Sequence, residues 1–362
     1  MKRLLTCVVC LLLAACSSQS SSTETASGAA PAAAPAAPPA PKEIPAGPKL
    51  FVSNESGGDL SVIDVGTRQL VATIAVGKRP RGVRLAPDGS FIYVALSGSP
   101  IAGPGVDESK LPPPDKSADG IGVVSVKDLK LVRTIPAGSD PEQLAVTADG
   151  KRLFIANEDV SAATAIDVET GMVLGSFKVG EEPEGVNIRP DGRVVYVTSE
   201  GDNQVSVIDA VNLKLLKTLE VGARPRSTAF LPDNSRAYVP SETGQAITVI
   251  DAKAHRVLNT IKLEGGPLVR PMGTAVSPDG KLLFATTGRG KSVLFIDTKT
   301  NKTVGQVEAG ERPWGIAVSP DGKTIFTANG PSNDVSIIDV EGRTVVAKVK
   351  AGDRPWGVVY VP

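Results

Sequence analysis

The sequence predicts an all-β chain folded as a seven-bladed β-propeller of four-stranded antiparallel blades, and three observations carry that prediction. A short pattern, Gly-x-x-Pro with Gly or a substitute two residues on, recurs along the chain. Its copies are Gly77 to Gly82, Gly138 to Gln143, Gly180 to Gly185, Gly222 to Ser227, Gly310 to Gly315 and Gly352 to Gly357, with a stretched seventh from Gly265 to Gly273. The prolines at 141, 183 and 225 stand 42 residues apart, as do those at 271, 313 and 355. Between copies lie four β-branched, apolar runs of four to seven residues bounded by Gly, Pro, Asn or Asp, the signal of short strands and tight turns. A unit of four such strands cannot bury both faces alone, so the copies must stack face to face around an axis.

The clearest unit shows each strand in turn. Gly185 to Ile188 forms the first run, and the turn Pro190-Asp191-Gly192 leads to Val194–Thr198, Val205–Asp209 and Leu215–Val221. The first unit is incomplete: the chain supplies Leu50–Ser53, Leu60–Asp64 and Leu70–Val76 but no inner strand, while Gly357–Val361 stands alone at the other end. Pairing the two closes the ring and covers an edge that would otherwise be exposed. The aspartates that end third strands, at 64, 167, 209, 251, 297 and 339, are expected to accept backbone N–H groups in turns.

The repeats carry a resemblance. Val195-Tyr196-Val197-Thr198 and Phe91-Ile92-Tyr93-Val94, followed by Val-x-Val-Ile-Asp patterns, resemble the YVTN class of β-propeller repeats throughout residues 49–362. More narrowly, Ser53-Asn54-Glu55, Gly77-Lys78-Arg79-Pro80-Arg81-Gly82, Ala156-Asn157-Glu158-Asp159 and Pro355-Trp356-Gly357-Val358-Val359 resemble propellers associated with pyrroloquinoline-quinone-dependent catabolism. That resemblance implies an envelope protein accompanying quinoprotein oxidation, without catalytic residues to carry over.

Ahead of the propeller, Lys2 and Arg3 followed by the apolar run Leu4–Leu13 read as a secretory leader too short to span a bilayer. Leu13-Ala14-Ala15-Cys16 resembles a bacterial lipobox, which makes residues 1–15 the signal peptide and Cys16 the lipidated first residue; an ordinary signal peptide cut near Ala15 is the alternative. Ser17 in place of Asp favours the outer membrane by resemblance to the usual sorting rule. Residues 16–48 are almost wholly Ser, Ala, Pro, Thr and Gly, a tether without the apolar bulk to order itself. Cys7 and Cys10 leave with the leader, so disulfides, thiolate zinc sites and covalent haem have no ligands. Lys+Arg and Asp+Glu both number 39, which removes the basic balance nucleic-acid binding would need.

By strand parity, every Gly-x-x-Pro stretch shares one face with the loops between second and third strands. Both length irregularities, Ser97–Gly120 and Gly265–Pro271, fall there too, as a lid, a partner contact or a passive loop. Arg79, Arg81, Arg224, Arg226, Arg270, Arg312 and Arg354 make this mouth basic, while Asp140, Glu142, Glu181, Glu182 and Glu184 make one sector acidic. Asn54-Glu55, Asn157-Glu158, Ser199-Glu200 and Ser241-Glu242 occupy matching loops. Two readings stand: a ring of exposed ion pairs of little individual worth, or an anion or acidic-partner site where arginine forks suit carboxylates. Trp314 and Trp356 hold equivalent positions, either packing blade on blade or presenting an aromatic platform. Arg84 and Asn187 replace the Ala or Val of other inner strands and point to the central channel.

No catalytic, metal or cofactor constellation emerges. His255 is the sole histidine, and Gly290-Lys291-Ser292 lacks the glycine and the helix of a phosphate loop. The expectation is a lipid-anchored, monomeric, non-enzymatic module of the cell envelope, touching the membrane through its anchor only. Its Gly-x-x-Pro face would meet an envelope protein or a small anionic ligand through Arg79, Arg81, Arg84, Glu158, Asn187, Arg224, Arg226, Arg312, Trp314, Arg354 and Trp356. A propeller hydrolase of lactonase type is the alternative.

Overall fold

A computed structural model describes residues 45–101 and 110–362; the leader, Cys16 and nearly all of the tether lie outside the described residues. The described chain forms twenty-eight strands, β1 to β28 in chain order, in seven four-stranded antiparallel sheets. The fourth blade, β12 (Pro183–Ile188), β13 (Val194–Ser199), β14 (Gln204–Asp209) and β15 (Lys214–Glu220), matches the runs read from the sequence to within two residues. The first blade has the order β28-β1-β2-β3, so β28 (Pro355–Val361) lies innermost against β1 (Lys49–Asn54). Leu50 faces Tyr360 and Val52 faces Val358 across that pair, and all six residues of β1 are buried.

Burial follows the repeat. One position of each second strand is aromatic, and its partner on the inner strand is small in five blades. Phe154 faces Ala145, Tyr238 faces Ala229, Phe284 faces Ala275, Phe326 faces Ala317 and Phe51 faces Val359. In the other two, Tyr93 faces Arg84 and Tyr196 faces Asn187. The apolar clusters lie between blades: Phe154 and Ala156 of the third pack with Val195 and Val197 of the fourth, and Leu50 and Val52 of the first with Phe326 and Ile337 of the seventh. Each third-to-fourth strand ladder slips at the same place, from Val62/Ile63 in the first blade to Ile337/Ile338 in the seventh. Such bulges increase local twist, which a blade needs as it widens away from the axis.

The six turn aspartates act as predicted. Asp64 accepts the Thr67 N–H at 2.6 Å, Asp297 that of Thr300 at 2.7 Å and Asp339 that of Gly342 at 2.6 Å, with Asp167, Asp209 and Asp251 doing the same. No helix among the described residues is long and apolar enough to cross a membrane.

The leading glycines of the repeat seldom supply the positive φ found at this rim. Only Gly77 and Gly138 among the leading glycines of the regular copies have it; instead the charged residue before each proline does. Arg79, Asp140, Glu182, Arg224, Arg312 and Arg354 all lie at φ between 43° and 60°. A non-glycine residue held there costs energy, and six such positions at one rim show the surrounding structure imposing it. The trailing glycines answer to crowding: a Cβ on Gly315 would sit 2.5 Å from the Trp356 carbonyl, and one on Gly357 2.6 Å from that of Arg81. The inner strands of adjacent blades meet there backbone to backbone.

Candidate functional site: a charged vestibule over the channel

The mouth is built from three rings, each taking one residue per blade, with blade 1 first. The residue before the proline gives Arg354, Arg79, Asp140, Glu182, Arg224, Arg270 and Arg312. The residue after it gives Trp356, Arg81, Glu142, Glu184, Arg226, Met272 and Trp314. The loop after the second strand gives Glu55, Ser97, Glu158, Glu200, Glu242, Gly288 and Gly330. Together these rings surround a vestibule of about 640 Å³.

The second ring is a closed layer. Arg81 contacts Glu142 directly and reaches Glu184 at 3.7 Å and Glu55 at 3.4 Å. Arg226 contacts Glu200 directly and reaches Glu184 at 3.4 Å and Glu242 at 2.5 Å. The apolar side of the ring completes it: Trp314 and Trp356 stack with centroids 5.7 Å apart, Arg81 lies 4.7 Å over Trp356, and Arg226 lies 5.2 Å from Trp314. These are not the exposed pairs the sequence suggested. Glu142 has no exposed surface and Arg226 retains 6%, so desolvation governs them and each charge needs its partners. The two tryptophans likewise serve blade packing, although Trp314 also lines the vestibule.

Above this layer the third ring decides which arginines are neutralised. Glu55 takes Arg354 at 3.0 Å and Arg79 at 3.5 Å; Glu200 takes Arg224 at 2.6 Å; Glu242 takes Arg270 at 3.9 Å. Arg79 also reaches Asp140 at 3.1 Å and Glu142 at 3.3 Å. Blades 6 and 7 carry Gly288 and Gly330 where blades 1, 3, 4 and 5 offer glutamate and blade 2 offers Ser97. Arg312 stands between those two blades and forms no ion pair within 4 Å among the described residues, and its buried Nε has no hydrogen-bond partner there. It lies 4.8 Å over the face of Trp314. Burial holds its guanidinium below the usual arginine range; nearby Glu242 counters this, while Arg226, Arg354 and Arg289 add to it. Arg289, from the short turn Gly288–Gly290, lines the same wall, likewise without an ion pair among the described residues.

Across the vestibule the balance is reversed. Glu158 is half-buried, and burial pushes its carboxyl up to about 7; Arg81 and Arg79 pull it down, while Glu184 and Asp140 push it further up. Asp140, Glu142 and Glu158 bring carboxylate oxygens within 4.8 Å of one another, a spacing suited to a cation. Arg79 and Arg81 already hold Asp140 and Glu142 there, so guanidinium groups take the place a metal ion would need.

The insertion after the second strand of blade 2 reaches this site. Ser99, Pro100, Ile101 and Leu111 to Pro114 line the vestibule wall. Its described flanks are tied down: Asp119 accepts the Gly98 N–H at 2.7 Å and the Asp140 N–H at 3.0 Å, and Lys78 pairs with Asp115 at 2.7 Å. Of the residues singled out in the sequence, Arg79, Arg81, Glu158, Arg224, Arg226, Arg312, Trp314 and Arg354 meet in the vestibule. Arg84, Asn187 and Trp356 line a separate channel cavity beneath the closed layer. Sequence reasoning missed Arg289 and Gln143, which replaces a repeat glycine in that channel.

Comparison with known proteins returns the same architecture. A family model described as lactonase, 7-bladed β-propeller, matches residues 186–348, and one described as a YNCE-like β-propeller matches residues 115–236. Search against curated proteins gave no match. Among solved structures, Kuenenia stuttgartiensis hydrazine synthase superposes with TM-score 0.70 at 23% identity, over 81% of this chain and 92% of that one. A putative 6-phosphogluconolactonase from Bacteroides fragilis gives 0.71 at 20% identity, over 87% and 98%, and one from Bacteroides uniformis 0.70 at 18%, over 87% and 99%. The lactonase match weighs against the expectation that the chain has no enzymatic role. What these likenesses establish is the fold: this chain is a seven-bladed β-propeller built like lactonase-type propellers.

Proposed function

We propose that the vestibule binds a small carboxylate-bearing molecule. The carboxylate would lie against Arg312 and Arg289, the carbon skeleton against Trp314, and the far end toward Glu158. The observation that carries this reading is Arg312: a half-buried guanidinium on the wall of a 640 Å³ cavity, with a buried, unpaired Nε, where two blades lack the glutamate that neutralises its counterparts. A ligand carboxylate would supply the missing charge, and such charge-assisted forks contribute about 1.5–3 kcal/mol.

The test is calorimetric titration of the full chain with gluconate and succinate. Arg312→Gln should weaken binding about 10- to 100-fold; equal affinity in the variant removes the proposal. The sign of the pH effect follows from Glu158. Its carboxyl is ionised at pH 8 and neutral at pH 6, so binding of an anion should tighten as pH falls through about 7, and Glu158→Gln should flatten that dependence.

A second reading is lactone hydrolysis, favoured by the lactonase match and by a carboxyl that titrates near neutrality. Glu158 would take a proton from water as its oxygen attacks the lactone carbonyl, and the Arg79 guanidinium would face the developing oxyanion. Breaking the ring C–O bond returns the proton to the departing alkoxide, leaving a hydroxy acid whose carboxylate suits Arg312. With δ-valerolactone and gluconolactone the rate should rise with pH through about 7 and vanish in Glu158→Gln. Turnover no faster than buffer eliminates this reading and leaves binding alone.

The envelope address belongs with the proposal: Cys16 would place the vestibule in a compartment fed by small diffusible solutes. A role beside quinoprotein oxidation rests on the resemblance alone.

A further inference from the structure

Beneath the Trp314/Trp356/Arg81/Arg226 layer the axis holds a second, smaller cavity of about 80 Å³, distinct from the vestibule. Its wall includes Arg84, Gln143, Asn187 and Thr228, contributed by four consecutive blades. At the position of Arg84 and Asn187, the other five blades carry Ala145, Ala229, Ala275, Ala317 and Val359. The repeat therefore does not require polarity there, and one side of the channel has it.

The orientation of these groups is set by their partners. Arg84 donates from Nη2 to Gln143 Oε1 at 3.3 Å and from Nη1 to the Val83 carbonyl at 2.8 Å. Asn187 Oδ1 accepts the Thr228 N–H at 3.3 Å. A guanidinium and a backbone N–H only donate, so the atom meeting each must be the amide oxygen. The oxygens of Gln143 and Asn187 are thereby turned toward protein donors, leaving their NH2 groups and the remaining Arg84 N–H groups without a hydrogen-bond partner among the described residues. Glu184 is the one carboxylate on the wall, and it is held by Arg81 and Arg226 in the layer above. Arg84 forms no ion pair among the described residues. Burial alone lowers its pKa, to about 10, so it is still a cation at neutral pH.

We infer that the channel is a binding site for a small monovalent inorganic anion, of the size of chloride, bromide or nitrate, held by Arg84 with the amide groups of Gln143 and Asn187. The cavity has room for one such ion with a water or two. A cation would face the charge of Arg84, and the one carboxylate on the wall, Glu184, is already held by Arg81 and Arg226, which leaves it only neutral oxygens such as the hydroxyls of Ser227, Thr228 and Thr274.

The test uses the full chain with bromide as probe, exchanged for fluoride at constant ionic strength so that general salt effects cancel. Bromide should raise the melting temperature saturably, by about 2–4 °C at ten times its half-saturating concentration. Diffraction from bromide-soaked crystals should place an anomalous peak beside Arg84. Arg84→Ala and Asn187→Ala each install the residue found at this position in four other blades, so both should fold. The first should abolish the bromide response and the peak, and the second should weaken both. A response unchanged in Arg84→Ala, no saturable response in the native chain, or a peak only in the vestibule would overturn the inference. Repeating the titration in Arg312→Gln separates the two sites: loss of the response there would assign the bromide effect to the vestibule and overturn the channel site.

Discussion

Deleting residues 355–362 should abolish cooperative folding. The segment is the whole inner strand of blade 1, and Trp356, Val358 and Val361 are each more than nine-tenths buried. At about 1.5–3 kcal/mol per buried side chain, those three alone contribute about 5–9 kcal/mol, against the roughly 5–15 kcal/mol that holds a typical domain together. The loss does not stop there, because removal strips one hydrogen-bonding edge from β1 and the stacked partner from Trp314. Urea unfolding followed by far-ultraviolet circular dichroism should show no sigmoidal transition for the truncated chain. A circular permutant joining Val361 to Lys49, which already face each other across the β28–β1 pair, should keep the transition. A truncated chain unfolding at the full-length midpoint would refute strand closure as the source of stability.

Arg226→Met should cost about 3–5 kcal/mol at pH 8, the usual consequence of removing one member of a buried charge network. Its guanidinium serves Glu184, Glu200 and Glu242, and methionine of similar length keeps the packing against Trp314 while supplying no charge. The three carboxylates would then be left with longer or shared contacts from Arg81, Arg224 and Arg270. Burial pushes the Glu242 carboxyl up but Arg226 helps hold it below the usual carboxylate range, so its pKa must rise when Arg226 leaves; the variant then binds a proton on folding that the native chain does not, and its deficit should shrink as pH falls from 8 to 5. A deficit below about 1 kcal/mol at pH 8, or one independent of pH, would mean that the network is solvated in the manner of surface pairs.

How far the sequence alone reached can be judged from particular residues. Strand phase, blade count and ring closure were legible because Gly-x-x-Pro and the turn aspartates recur at fixed offsets, and local chemistry suffices to interpret them. The face carrying the insertions followed from parity. The charges were another matter. Arg79, Arg224 and Arg312 look alike in the linear repeat, yet the first two are neutralised and the third is not, because the deciding residues are Gly288 and Gly330 in neighbouring blades. That comparison needs the loop after the second strand aligned blade by blade, which the irregular insertions in blades 2 and 6 obscure. The burial of the ion pairs escaped for a related reason: seven rims converge on one axis, and no single blade reveals how little room remains there. Arg84 and Asn187 were visible as exceptions, but whether their donors or acceptors face the channel depended on contacts between blades.

The left-handed residues before the prolines have a further consequence. Arg79, Asp140, Glu182, Arg224, Arg312 and Arg354 share one backbone conformation while differing in charge, so the scaffold already accepts either sign at these places. At the exposed positions among them, Glu182 and Arg224, the charge can be rewritten without disturbing the sheets below. Recoding Glu182 or Arg224 is thus a route to new ligand preferences in which stability and specificity are separately adjustable.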